Sequence, residues 1–226
     1  MKAEFDRFDQ TYEAELDDAI SFAGREHDFY VEVKARRLLE LARRRIGDRR
    51  LRVLDVGCGV GLTDRHLLPH VESLAGVDVS PGMIERARAA NPEAAYEVYD
   101  GARLPFDDDA FDVSFAVCVL HHVDPPDRRP LVEEMARVTR PDGLVAVFEH
   151  NPLNPLTRRV VRNCAFDEDV VLIGAAELER LFRAAGLQIA DREYLLFFPW
   201  RADALERRLT RLPLGAQYVV AGRPPQ

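Results

Sequence analysis

Apolar positions along this chain follow two different rhythms. Val31, Ala35, Leu38, Leu39, Ala42 and Ile46 recur at the helical period, and Gly47 is a natural stop. Residues 1–50 therefore read as helical. From there short apolar runs take over. "RLRVLDV" (50–56) predicts a strand buried on both faces. "LTDRHLLPH" (62–70) continues as a short helix, and "SLAGVDV" (73–79) is a second strand. Ser80 then caps a helix with Pro81 at its first position and Met83, Ile84 and Ala87 on its apolar stripe. "AAYEVYD" (94–100) and "AFDVSFAVCVL" (110–120) predict strands three and four. Leu131, Val132, Met135, Ala136 and Val138 mark a helix, and "DGLVAVFEH" (142–150) is a fifth strand opened by a Pro-Asp-Gly turn.

Strand and helix alternate five times, which predicts an α/β core with a parallel sheet and helices on both faces. After residue 150 the rhythm breaks. Two Asn-Pro pairs in "NPLNPLTRRVVRNC" favour turns. A helix built on Leu178, Leu181, Phe182 and Ala185, stopped by Gly186, and two strands near 187–197 and 216–221 complete the chain.

Length and composition narrow the picture further. At 226 residues, with 47% hydrophobic and 31% charged, this is one globular unit able to bury a core. The net charge of −8 speaks against nonspecific binding to nucleic acid or an anionic membrane. Cys58, Cys118 and Cys164 are far apart, without the spacing of a zinc site or a disulfide framework, so no metal is expected and a cytoplasmic setting is. The first residues carry acids and no apolar leader, and no run approaches a membrane span.

The chemistry gathers at "VLDVGCGVG" (53–61), between the first strand and the next helix. No Gly-Lys-Ser/Thr follows, which excludes a phosphate P-loop. Gly57, Gly59 and Gly61 stand at G-x-G-x-G spacing, unlike the G-x-G-x-x-G of dinucleotide folds, and Asp55 would repel a pyrophosphate. Asp78 ends the second strand, where an acid grips ribose hydroxyls. "LDVGCGVG" (54–61), "DVS" (78–80), "DGARLPF" (100–106), "LHHV" (120–123) and "RPDG" (140–143) follow in that order. As an ensemble over about residues 51–150, this set resembles the class I S-adenosylmethionine-dependent methyltransferases, in particular the type 11 small-molecule group.

The resemblance implies a Rossmann-like α/β fold. Its mostly parallel seven-stranded sheet would carry a late antiparallel strand, helices on both faces and an N-terminal helical cover. The cover would span 1–48 and the cofactor-binding domain 49–226, with a substrate-shaping insert at 151–170. The cofactor would be S-adenosyl-L-methionine, leaving as S-adenosyl-L-homocysteine. Gly57, Cys58, Gly59 and Gly61 would wrap its methionine part, and Asp55 would face its amino group. Asp78 would hold the ribose, with Val79 and Met83 flanking the adenine. Asp100, Gly101 and Ala102 would meet the adenine edge, while Val117 and Cys118 would close the pocket near the sulfonium. Cys58 itself reads as a packing residue, since no base is patterned beside it.

Methyl transfer needs alignment and, for a protonated acceptor, a base. His121 and His122 follow the fourth strand, and Glu149 and His150 end the fifth. Both strand ends lie on one rim of a parallel sheet, so these four are the candidate catalytic residues. Tyr12, Tyr30 and Phe198 are candidates to line the acceptor site, with Phe197 and Trp200 in the same aromatic run. Lys34 and Arg36 read as a solvated helix face, with reach to the cofactor carboxylate as the alternative; Arg158, Arg159 and Arg162 read the same way, with recognition of a carboxylate or phosphate on the acceptor as the alternative. The expected partner is a small-molecule methyl acceptor, with no nucleic acid and no membrane, in a monomer or homodimer. The expected reaction is O- or C-methylation of a metabolite. N-methylation and a nicotinamide-dependent oxidoreductase are the alternatives.

Overall fold

The structure is a computed structural model that describes residues 27–164, 170–198 and 203–225. Seven strands form one sheet among these residues: β1 Arg52–Val56, β2 Ser73–Asp78, β3 Ala95–Val98, β4 Phe111–Val117, β5 Thr139–His150, β6 Gln188–Leu195 and β7 Gln217–Arg223. The order is β3-β2-β1-β4-β5-β7-β6. Contacts among β1 to β5 are parallel, whereas β7 runs antiparallel to both β5 and β6. This is the class I methyltransferase-type α/β architecture that the sequence implied.

Alternation along each strand sorts side chains onto two faces. Leu54, Val56, Ala116, Val145, Val147, Tyr218 and Val220 belong to one core layer, together with Leu131, Val132 and Met135 of α4 (Arg128–Val138) and Leu178 and Phe182 of α6 (Ala175–Ala184). Val53, Val113, Phe115, Ala146, Phe148, Val219 and Ala221 face the other way, onto Ala35, Leu38, Leu41 and Ala42 of α1 (His27–Ile46). From His27 onward the N-terminal segment thus shares the core of the sheet. Asp28 also ties α1 to α2 (Asp64–Leu67), accepting from Arg65 and pairing with His66 Nε2 at 2.7 Å. Residues 1–26 lie outside the described residues, and with them Tyr12; so do residues 165–169 and Trp200.

Local chemistry explains most element ends. In α3 (Pro81–Ala90) the Ser80 hydroxyl accepts from Met83 N at 3.2 Å, and Pro81 needs no partner at the first position. Ser80→Ala is expected to cost about 1 kcal/mol, lowering the melting temperature by roughly 2–4 °C. Three readings need correction. The fourth strand stops at Val117, not at 120, because Cys118 turns the chain at φ +58° and Leu120–His122 form a 3₁₀ turn. The Pro-Asp-Gly segment does not precede β5 but lies inside it, as a bulge between the pairs Phe111–Thr139 and Val113–Leu144. The second Asn-Pro pair starts a helix, α5 (Pro155–Asn163), in which the Asn154 side chain accepts from Leu156 N and Thr157 N. Lys34 is also corrected: it is buried, not solvated.

Candidate active site

Three segments meet at the carboxyl ends of β1 and β2. Gly57 N and Cys58 N donate to the Val77 carbonyl at 2.8 and 3.0 Å, which folds the glycine loop over the end of β2. Gly57 and Gly59 sit at φ +77° and +52°, conformations that L side chains rarely adopt. A Cβ at Gly57 would collide with Val119, whereas one at Gly59 would meet nothing among the described residues. Gly59 therefore faces open space, where a ligand can touch backbone. Gly61 is packed against Asn91 and Tyr96 instead.

Beneath this loop lies an acidic pair. Asp55, next to last in β1, is buried, and so is Asp64 at the start of α2. Asp64 Oδ2 accepts from the Tyr96 hydroxyl at 2.6 Å, which in turn accepts from Asn91 Nδ2 at 3.0 Å. Oδ1 of each aspartate is buried and receives no hydrogen bond from a backbone or non-acidic group among the described residues, but the two carboxyls bond to each other. Burial, then the neighbouring Asp64 charge, pushes the Asp55 carboxyl well up. Burial also pushes Asp64 up, to about 6, with hydrogen bonds from Tyr96 and Asp55 working against it. Asp64 was not singled out in the sequence, because only the turn of α2 under the loop brings it beside Asp55. Cys58 is buried in the same environment, and desolvation and these acids raise its thiol, so it stays protonated. That fits a packing role rather than a nucleophile.

Asp78 stands at the tip of β2. Its carboxylate accepts from Gly59 N at 3.0 Å and from Ser80 N at 2.9 Å, bonds that fix its orientation. Val79 is half-buried beside it, while the Met83 side chain is buried in the interior. Asp100 accepts from Ala102 N and Arg103 N through one oxygen, making a turn that leaves Asp100, Gly101 and Ala102 exposed after β3. Val117 and Cys118 are half-buried at the end of β4.

A second cluster forms where β4 and β5 end and β7 begins. His121 Nδ1 meets Glu149 Oε2 at 2.6 Å, and Glu149 Oε1 accepts from Leu120 N at 2.8 Å. Both side chains are buried, at 1% and 0% exposure. Burial alone would raise the Glu149 carboxyl, but His121, His150 and the Leu120 N–H more than offset it and hold it below the usual range. The ring of His121 lies 4.2 Å from that of His122 and 5.2 Å from that of His150, centroid to centroid, and those two rings are half-buried. All four candidate catalytic residues are therefore adjacent. Gln217, at the start of β7 directly across from His150, donates from Nε2 to His150 Nδ1 at 3.3 Å and to Cys118 Sγ at 3.4 Å. Nothing in "GAQYVV" marks Gln217 in the sequence; the antiparallel pairing of β5 and β7 places it.

Tyr30 packs from α1 against the core and edge-to-face with Phe29, and Phe198 is half-buried with its N–H donating to Glu206. Arg158, Arg159 and Arg162 are exposed on α5. Among the described residues no three His, Cys, Asp or Glu side chains are placed to hold a metal ion, and no helix is long and apolar enough to cross a membrane.

Comparison with known proteins agrees with this geometry. Residues 54–147 match the family model described as a methyltransferase domain. The chain is similar to 2-methyl-6-phytyl-1,4-hydroquinone methyltransferase of Synechocystis sp., 34% identical over 121 residues, which are 49% of this chain and 37% of that protein. It is also similar to O-methyltransferase resE of Aspergillus sclerotiorum, 30% identical over 151 residues, 62% of this chain and 55% of that protein. These matches span only about a third to a half of the curated relatives' lengths. Among solved structures, a protein of Thermotoga maritima titled a possible histamine N-methyltransferase superposes with a TM-score of 0.69 at 22% identity, covering 98% of both chains, a likeness of fold.

Proposed function

We propose that this chain, whose residues 54–147 match the methyltransferase-domain family model, is an S-adenosylmethionine-dependent methyltransferase that methylates an oxygen or carbon of a small-molecule metabolite. The observation that carries this reading is the buried acidic pair under the glycine loop, Asp55 and Asp64, which bond to each other and have no basic side chain bonded to them among the described residues. That charge suits the ammonium of a cationic amino-acid nucleoside and repels the pyrophosphate of a nicotinamide coenzyme. The residues present therefore fit S-adenosyl-L-methionine. When bound, the cofactor supplies an electrophilic methyl group on sulfur and leaves as S-adenosyl-L-homocysteine.

The chain's own residues supply position and proton handling. Gly57, Cys58, Gly59 and Gly61 would wrap the methionine part and Asp55 would receive its ammonium. Asp78, already oriented by two backbone N–H groups, would take the ribose hydroxyls. Val79 and Met83 would flank the adenine, with Asp100, Gly101 and Ala102 at its edge, and Val117 and Cys118 would close the sulfur end. His121 would be the base: Glu149 holds the proton on Nδ1, which leaves the basic lone pair on Nε2, and the ionised carboxylate balances the imidazolium that forms. His122 and His150, half-buried on either side, would face the acceptor, with Tyr30 and Phe198 as apolar walls. The relatives named for a prenylated hydroquinone and for O-methylation favour an aromatic or otherwise apolar acceptor.

Calorimetry with S-adenosyl-L-homocysteine against NADH tests the reading. The first should bind and the second should not; the reverse result would replace the proposal with an oxidoreductase. Gly59→Ala adds a local test. A Cβ there meets no atom of the described residues, so stability should fall by only about 1 kcal/mol for the left-handed backbone. Affinity for S-adenosyl-L-homocysteine should fall about 10-fold or more, because the methyl group occupies space meant for ligand. Unchanged affinity would mean that the cofactor does not lie against this glycine.

A further inference from the structure

Among the described residues, four of the seven large apolar side chains left exposed are gathered at one place. Leu153, Leu156 and Leu214 are 69%, 59% and 66% exposed, and Leu212 is 45% exposed. They belong to two segments far apart in sequence: the turn that leads from β5 into α5, and the loop that precedes β7. Hydrogen bonds join these segments side by side. Asn151 Nδ2 donates to the Pro213 and Gly215 carbonyls at 3.1 and 2.8 Å, and Asn154 Nδ2 donates to the Leu214 carbonyl at 2.7 Å. Thr157 Oγ1 donates to the Ala216 carbonyl at 2.8 Å. Single exposed leucines need no explanation, but a cluster held on backbone that the fold ties down marks a docking surface.

The charge around these leucines is one-sided. Residues 151–163 and 207–216 hold six of the chain's 31 basic residues and none of its 39 acids. Arg158, Arg159 and Arg162 are exposed on α5. Arg207 and Arg208 are exposed near the end of α7 (Asp203–Leu209), and Arg211 just beyond it. Glu206, on the same short helix, is turned to the chain itself, accepting from Phe197 N and Phe198 N. The net charge of −8 is therefore an average that conceals a basic, leucine-bearing surface. The two segments also run straight on from the acceptor cluster: His150 pairs with Gln217, and Asn151 N donates to the Ala216 carbonyl at 3.0 Å. We propose that this surface docks on an anionic lipid bilayer. The leucines enter the headgroup boundary and the arginines meet lipid phosphates, so that an apolar acceptor dissolved in the bilayer reaches the cluster without crossing water. Protruding leucines gain by leaving water, and each arginine near an anionic surface adds attraction. A second copy docked symmetrically on the same surface would set arginines against arginines. Delivery of an acceptor rests on the methyltransferase reading; the docking itself does not.

Co-sedimentation of the full chain with lipid vesicles tests this. Vesicles of phosphatidylglycerol and phosphatidylcholine in equal parts should bind it about tenfold or more tightly than vesicles of phosphatidylcholine alone, and the preference should shrink as salt is raised. Leu153→Ser combined with Leu214→Ser should weaken binding about tenfold or more. Arg158→Gln, Arg159→Gln and Arg162→Gln together should do the same and remove most of the salt dependence. Every substituted side chain is exposed, so both variants should keep the parent's melting temperature and its affinity for S-adenosyl-L-homocysteine. A parent chain that stays in solution beside the mixed vesicles would overturn the proposal. So would binding that neither variant weakens, since the contact would then lie on another surface. A dimer in sedimentation velocity that the leucine variant dissolves, with no vesicle binding, would replace the bilayer with a second copy of the chain. Failure of S-adenosyl-L-homocysteine to bind the same sample would sink the methyltransferase reading and leave the vesicle result standing, so the two failures are distinguishable.

Discussion

Glu149→Gln is expected to lower turnover about 100-fold or more while S-adenosyl-L-homocysteine binds within about twofold of the parent. The replacement is nearly isosteric, and its Oε1 can still accept from Leu120 N, so the fold should persist. What changes is the group facing His121. The carboxylate accepts from Nδ1–H at 2.6 Å, whereas an amide NH₂ in that place is a second donor. Two donors cannot pair, so the ring shifts its proton to Nε2 and the basic lone pair leaves the acceptor side. The imidazolium formed during reaction would also be buried without its counter-charge. Formation of S-adenosyl-L-homocysteine over a panel of hydroxylated acceptors measures the loss. Turnover within a few-fold of the parent would end the case for this base. The pH dependence has a definite sign. Glu149 is held below its ordinary value of 4.5, so the stability it contributes is present above that pH and is lost as pH falls through the lowered folded value.

Asp64→Asn should act in the opposite direction on stability. Asp64 is fully buried and its carboxyl is raised from 3.8 to about 6, with burial as the main cause. A carboxyl raised by folding favours the protonated native state. Its stabilising share is present below pH 3.8 and is lost as pH rises toward about 6. At pH 7.5 the parent therefore carries a cost that asparagine does not. Asparagine can still accept from Tyr96 through its oxygen and can donate to Asp55. The variant should be more stable by on the order of 2–3 kcal/mol at pH 7.5, roughly 5–10 °C in melting temperature, with the difference vanishing near pH 4. Affinity for S-adenosyl-L-homocysteine should drop about tenfold, since the negative charge that Asp64 lends the pair at this pH is gone. A melting temperature that falls at pH 7.5 would show that the pair is not strained by like charge. The trade would place Asp55 and Asp64 among residues that serve binding at the expense of stability.

These two effects come from side chains that differ in how readily the sequence reveals them. Glycines, Asp55 and Asp78 stand within one strand–loop–helix unit, where residue order and spatial order nearly coincide. Short apolar runs announced the strands, and Ser80-Pro81 announced a helix start, because both depend on neighbours a few residues away. Element ends were less legible where tertiary pairing overrode local preference. Pro141-Asp142-Gly143 would make a turn by itself, but pairing of Thr139 with Phe111 draws it into β5 as a bulge. Lys34 would be solvated on an isolated helix, but α1 is pressed onto the sheet and buries it.

By itself, then, the sequence determined the alternating α/β layout, the glycine loop and the acids at the first two strand tips, because backbone conformation and apolar periodicity act over short stretches of chain. Only the tertiary structure decided which of these groups touch. Asp64 meets Asp55 through the turn of α2, Glu149 meets His121 because β5 lies beside β4, and Gln217 meets His150 because β7 runs antiparallel next to β5. Strand order sets those contacts across 28 and 67 positions of chain, and no local pattern of residues encodes which strand will be the neighbour.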